Sequence, residues 1–184
     1  GIAYAGLPLT KTSQINSTTR TRVGLISLGC AKNLVDAEVM LGSLMADGLE
    51  ITNEPSEADA LIVNTCSFID SAQEESVDTI LESAEYREAK RPGQALIVSG
   101  CLPQRFRKEL PKLMPEVDAF MGVDQIVDVS RIVCEAIAHR AGQPANGAPK
   151  RARKKAPVPL TEIHMRPQYV PDVETPRFRL PPRQ

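Results

Sequence analysis

Ala60-Leu61-Ile62-Val63-Asn64-Thr65-Cys66 is a short, mostly apolar run that ends on a thiol. A run of that length and character reads as a buried β-strand. Two more stretches repeat it: Val23-Gly24-Leu25-Ile26-Ser27-Leu28, followed by Gly29-Cys30, and Ala95-Leu96-Ile97-Val98-Ser99-Gly100, followed at once by Cys101. Helical patterns lie between the runs, so the strands are expected to be parallel, joined by right-handed crossovers, with all three ending on one edge of one sheet. In open α/β sheets that carboxyl edge is where ligands bind. Three thiols brought there from three strands suit a metal site, and three protein ligands leave a coordination position to spare.

Working outward, Leu34, Ala37, Leu41 and Leu44 recur at spacings of three and four and predict a helix from about Leu34 to Asp47, with Asn33 as N-cap and Gly48 as its stop. A short strand is expected near Leu49–Thr52. Residues 71–90 read as a helix with Val77, Ile80, Leu81 and Ala84 turned inward and Glu74, Glu75, Asp78 and Glu82 turned to water. Pro92-Gly93 breaks it before the Ala95 strand. A short helix around Gln104–Leu110, a strand near Ala119–Met121 and a helix over about Asp124–Arg140, buried through Ile126, Val129, Val133 and Ile137, complete the pattern. Alternating β and α elements around a mostly parallel sheet define an α/β, flavodoxin-like, three-layer domain. Residues 1–21 are expected to be a disordered N-terminal arm and 22–141 the domain. The remainder, 142–184, holds nine of the fifteen prolines and the run Lys150-Arg151-Ala152-Arg153-Lys154-Lys155, and reads as a Pro-rich basic C-terminal arm or linker.

With 184 residues and 42% apolar content, the chain can bury roughly 70% of its unfolded surface. A formal net charge of −1 creates no global attraction to nucleic acid or membrane. No apolar stretch approaches the roughly 20 residues that span a bilayer, and no secretory leader is recognisable. The expected compartment is the reducing cytoplasm, where clustered thiols more often bind metal or do chemistry than pair as disulfides.

The bland reading of Cys30, Cys66 and Cys101 is core packing, since free cysteine is among the most buried residue types. Their position just past strand ends argues instead for a shared site, as do Gly29 and Gly100, which let the backbone turn sharply beside a bulky group. Spacings of 36 and 35 residues are too wide for a zinc ribbon or a Cys-x-x-Cys pair, so the fold itself must assemble the site. Zinc and an iron–sulfur cluster both accept thiolates. No histidine adjoins the strand ends, for His139 closes the last helix and His164 lies in the arm; both are expected to face solvent. An iron–sulfur cluster usually takes four thiolates, so with three one iron stays open. Cys134 reads as a packing residue of the last helix. The Lys150–Lys155 run fits RNA or an acidic protein surface, although a solvated linker is the commoner meaning of such a run.

Three stretches then carry a resemblance: Gly29-Cys30-Ala31-Lys32-Asn33-Leu34-Val35-Asp36, Asn64-Thr65-Cys66-Ser67-Phe68-Ile69 and Ser99-Gly100-Cys101-Leu102-Pro103-Gln104-Arg105. In that order they resemble the N-terminal domain of the radical S-adenosylmethionine methylthiotransferases, over about residues 22–125. The Ala-Lys-Asn-Leu-Val-Asp sequence resembles the RimO branch, which modifies an aspartate of a small-subunit ribosomal protein; the tRNA-modifying branch usually carries a Gln-Met-Asn variant. The resemblance implies that Cys30, Cys66 and Cys101 bind an auxiliary 4Fe–4S cluster whose open iron takes up a sulfur species. One S-adenosylmethionine methylates that sulfur. A second is cleaved at another 4Fe–4S cluster, and the resulting radical removes hydrogen from the carbon that receives the methylthio group, the β-carbon of the aspartate. Asn33, Asn64 and Gln104 lie near the ligands in sequence and suit hydrogen bonds to the cluster or its sulfur, or equally a cap or turn role. The arm after 142 is longer than the resemblance leads one to expect.

The same resemblance places the radical cluster on a Cys-x-x-x-Cys-x-x-Cys triplet, whereas no two cysteines here are closer than 33 residues. The chain is therefore expected to be an excised domain that binds the auxiliary cluster and performs no reaction alone. Its expected partners are its own radical domain, a sulfur donor and the ribosomal protein. The rival readings are the N-terminal domain of a tRNA adenosine methylthiotransferase, and a non-catalytic flavin- or zinc-binding module.

Overall fold

A computed structural model describes residues 20–142, 159–163, 175 and 178. In chain order the elements are β1 (Arg22–Ser27), α1 (Ala31–Ala46), β2 (Glu50–Ile51), β3 (Ala60–Thr65), α2 (Asp70–Lys90), β4 (Ala95–Gly100), α3 (Cys101–Arg105), α4 (Leu110–Leu113), β5 (Ala119–Met121), α5 (Val129–Ala141) and β6 (Leu160–Glu162), with 3-10 turns at Pro55–Glu57 and Gln125–Asp128. The six strands form one sheet in the order β2-β1-β3-β4-β5-β6, and every neighbouring pair is parallel. Its first five strands follow the flavodoxin-like order, in which the direction of winding switches between β1 and β3.

Side chains alternate across the pleat, so each strand feeds two cores. Val23, Ala60, Ile62, Ala95, Ile97, Ala119 and Met121 pack with Val39, Met40 and Leu44 of α1 and with Val129, Ile132, Val133 and Ala136 of α5. On the opposite face Leu61, Val63, Leu96, Val98 and Phe120 pack with Ile80 and Ala84 of α2, Leu102 of α3 and Leu110 of α4. Burial on both faces explains why the central strands read as continuous apolar runs rather than alternating ones. Among the described residues no helix is long and apolar enough to cross a membrane.

The amino edge of the sheet is held by charge. Arg87, buried on α2, donates to Asp118 Oδ2 at 2.7 Å and to the Glu116 carbonyl at 2.8 Å, and Asp118 also accepts the Leu96 N–H at 2.8 Å. Burial pushes the Asp118 carboxyl up against the pull of that N–H and of Arg87, and the same burial pushes Arg87 down.

Several expectations are corrected. Helix α1 begins at Ala31 with Cys30 as N-cap, so Asn33 is an interior helix residue rather than the cap. Leu81 is 41% exposed. The buried stripe of α2 runs Ser76, Ile80, Ser83, Ala84, Arg87, and Leu81 lies about 100° around the helix from Ile80. Cys134 is exposed, not packed, because the α5 stripe Val129, Ile132, Val133, Ala136 passes it by. His139 continues that stripe and is mostly buried, its Nδ1 3.8 Å from Asp118 Oδ1. The helix expected over Gln104–Leu110 is instead two short helices, α3 and α4, interrupted around Phe106–Glu109. No element was legible after residue 142, yet Leu160–Glu162 pairs with β5 as an outer strand. His164 and the Lys150–Lys155 run lie outside the described residues.

Candidate metal centre

Three polar side chains close the carboxyl ends of the central strands. Ser27, Asn64 and Ser99 stand in register across β1, β3 and β4. The Asn64 amide donates to the Asn33 carbonyl at 2.9 Å, and the Ser99 hydroxyl donates to Asn64 Oδ1 at 3.2 Å. The Thr65 hydroxyl donates to the Ser99 carbonyl at 2.6 Å. Asn33, Asn64, Thr65 and Ser99 are all buried, so this layer is a satisfied network sealing the hydrophobic core from what lies beyond it.

Beyond it lie the thiols. Cys30 caps α1, Cys66 follows β3 directly and Cys101 opens α3. All three therefore stand on the carboxyl edge, with Cys30 and Cys66 on either side of the β1/β3 switch point. Gly29 and Gly100 hold positive φ values of +89° and +98° and turn the chain into Cys30 and Cys101. Neither has room for a side chain: a Cβ on Gly29 would lie 2.8 Å from Cys66 Sγ, and one on Gly100 would lie 2.4 Å from the Thr65 carbonyl. Cys66 is fixed from behind by Ser76 of α2, whose hydroxyl accepts the Cys66 N–H at 3.1 Å and donates to the Cys66 carbonyl at 2.9 Å. The next residue, Ser67, is anchored through its carbonyl by Arg105 at 3.0 Å. Phe68, one position further, is 88% exposed on the same rim.

The three sulfurs differ in character. The Cys30 side chain makes no cap hydrogen bond of regular geometry. Even so, the Asn33 N–H holds the Cys30 thiol below its ordinary pKa, helped by the Lys32 N–H and by the Cys66 thiol and opposed by slight burial. This is the usual effect of a helix N-terminus on a cysteine. Burial pushes the Cys101 thiol up; the Lys32 ammonium opposes this, and the nearby Cys66 and Cys30 sulfurs add to it. Among the described residues, no three His, Cys, Asp or Glu side chains converge closely enough to hold a single metal ion. The donor set fits a soft metal group. Lys32, paired with Asp36, supplies positive charge beside it.

Of the residues singled out in sequence, Cys30, Cys66 and Cys101 share this rim. Asn33 and Asn64 lie beneath it with their amides committed to protein groups, and Gln104 Oε1 accepts the Val123 N–H at 3.3 Å. Ser76 was missed; ten residues from Cys66 on an otherwise ordinary helix, it carries no local signal.

Parallel strands with three thiols along the switch-point edge, each on an ordered Gly-Cys or Thr-Cys motif, define an α/β domain with a candidate thiolate centre. Residues 22–122 match the family described as Uncharacterized protein family UPF0004. The chain belongs to that family, and the curated relatives it matches are of RimO type. It is 49% identical over 162 residues to the ribosomal protein uS12 methylthiotransferase RimO of Akkermansia muciniphila, covering 87% of this chain and 32% of that protein. Against the protein of the same name from Opitutus terrae it is 47% identical over 165 residues, covering 88% of this chain and 32% of the relative. Against that from Solibacter usitatus it is 59% identical over 111 residues, covering 59% and 24%. The chain spans about a third of the length of the first two relatives. A continuous match over 87% of 184 residues must run into the Pro-rich stretch beyond residue 142, so part of that arm is shared.

Proposed function

We propose that Cys30, Cys66 and Cys101 are the protein ligands of an auxiliary 4Fe–4S cluster in an enzyme that adds a methylthio group to the β-carbon of an aspartate in ribosomal protein uS12. The observation that carries this reading is the set of three thiols on one sheet edge, two of them flanking the switch point, within motifs of RimO type. The relatives' printed activity supplies the substrate. Held by three thiolates, such a cluster offers an open iron to an exogenous sulfur species, and that is the chemistry it contributes when bound.

The chain's own residues prepare that site. Cys30, with its lowered pKa, is the readiest thiolate. Cys101 must release a proton from a buried position, and Lys32 compensates part of the charge that remains. Loading is therefore accompanied by proton release. S-adenosylmethionine and the second 4Fe–4S cluster belong to a radical domain built on a cysteine triplet that this sequence lacks, so the chain alone binds and orients but does not transfer. Residues 22–141 form the cluster domain, with 142–184 leading to the radical domain. A reducing cytoplasm keeps the thiols competent.

The substrate is tested with the full-length protein in a host lacking its own uS12-modifying enzyme. Mass spectrometry of uS12 is expected to show one methylthio group, lost with Cys66→Ala. Modified adenosine in tRNA with unmodified uS12 would overturn the assignment.

A further inference from the structure

We propose that Asn33 is the positioning residue that gathers the three cysteine loops into one rim before anything binds there. Its side-chain amide spends both hydrogens on two of those loops, donating at 2.8 Å to the Leu28 carbonyl, two residues before Cys30, and at 2.8 Å to the Thr65 carbonyl, adjoining Cys66. Its Oδ1 faces Cys101 Sγ at 3.9 Å. Its main-chain carbonyl accepts the Asn64 amide at 2.9 Å and the Ser27 hydroxyl at 3.5 Å, tying α1 to the ends of β3 and β1. One fully buried side chain thus touches the backbone or sulfur of every thiol-bearing loop.

The residue type follows from the chemistry. Two carbonyls from different loops need two donors from one group, and an oxygen must remain for the third loop. Asparagine has that inventory on a short stem. Aspartate has the shape but no donor, so it leaves both carbonyls unpaired and buries a charge. Serine can serve only one of the two loops. A helix N-cap at Asn33 would point the side chain at its own backbone, whereas starting α1 three residues earlier turns it across the rim.

This inference deepens the cluster reading, but its test does not depend on it. Phenylarsine oxide binds tightly only where two thiols stand together, so it reports the apo rim. In a Cys134→Ser background, the chain with Asn33 intact is expected to bind one equivalent at the rim. Asn33→Asp and Asn33→Ser are expected to weaken binding at least tenfold, while Ile62→Val, a core substitution remote from the rim, leaves it unchanged. After reconstitution, the reduced-cluster EPR spectrum of any Asn33 variant that still loads is expected to differ from that of the parent chain. Unchanged arsenical affinity and spectrum in a folded Asn33 variant would overturn the proposal. Loss of the circular dichroism of the folded state in both variants would overturn it too, making Asn33 a residue of the whole core. If the parent chain binds the arsenical but takes up no iron, the cluster reading fails and the positioning role stands.

Discussion

Gly29 lies directly against Cys66: a Cβ on the glycine would sit 2.4 Å from the Cys66 Cβ and 2.8 Å from its sulfur. The loop before one thiol is thus moulded on the side chain of another, and strain at the first is transmitted to the second. Gly29→Ala adds both a left-handed backbone penalty and an overpacked contact, together about 2–5 kcal/mol. The urea midpoint should fall accordingly, and the reconstituted chain should hold less iron per mole than the parent. A variant with parental stability and parental iron content would show that the contact is easily relieved.

The thiols should react in a set order. Only the thiolate is alkylated, and the Asn33 N–H lowers the Cys30 pKa whereas burial raises that of Cys101. As pH rises, iodoacetamide should therefore label Cys30 first, at a pH below that needed for a free cysteine, and Cys101 only at a pH above it. Peptide mass spectrometry of the apo chain reads the order. Equal rates at the two positions would contradict the electrostatics of the rim.

At the opposite edge, Asp118→Ala leaves the buried Arg87 guanidinium with only the more exposed Glu88 carboxylate, 3.2 Å away, and deprives the Leu96 N–H of its acceptor. Removing one partner of a buried pair costs about 3–5 kcal/mol. Denaturant unfolding should show that loss. Any fraction still folded should keep its arsenical binding, since the pair touches none of the cysteine loops.

Cys134→Ser is expected to change stability by less than about 0.5 kcal/mol, as for most exposed positions, and to leave iron uptake unaltered. The side chain is exposed on α5, outside the stripe that packs on the sheet. A large loss of iron in this variant would bring the fourth cysteine into the centre.

The central strands were legible because burial on both faces leaves an uninterrupted apolar run, and Ala60–Thr65 was found with its observed limits. The rim was legible because a thiol follows each of three such runs at one β–α interval. The start of α1 was not: Asn33 is a good cap residue by type, but its amide is claimed by carbonyls up to 32 positions away, which local preference does not register. Leu81 is displaced by one helical step because the α2 stripe includes Ser76, Ser83 and Arg87 and so holds fewer apolar residues than the buried face it marks; Cys134 follows Val133 directly and lies one step off the α5 stripe. His139 continues the buried stripe of α5 and comes within 3.8 Å of Asp118, a neighbour supplied by tertiary structure alone. Strand β6 is three residues between proline-rich flanks, and its order comes from β5 rather than from its own pattern.

Anaerobic reconstitution of the chain, followed by iron and acid-labile sulfide analysis, tests the central claim most directly. The account predicts about four of each per chain, falling to background with Cys66→Ala. One zinc with no sulfide, or a bound flavin in place of iron, would contradict it.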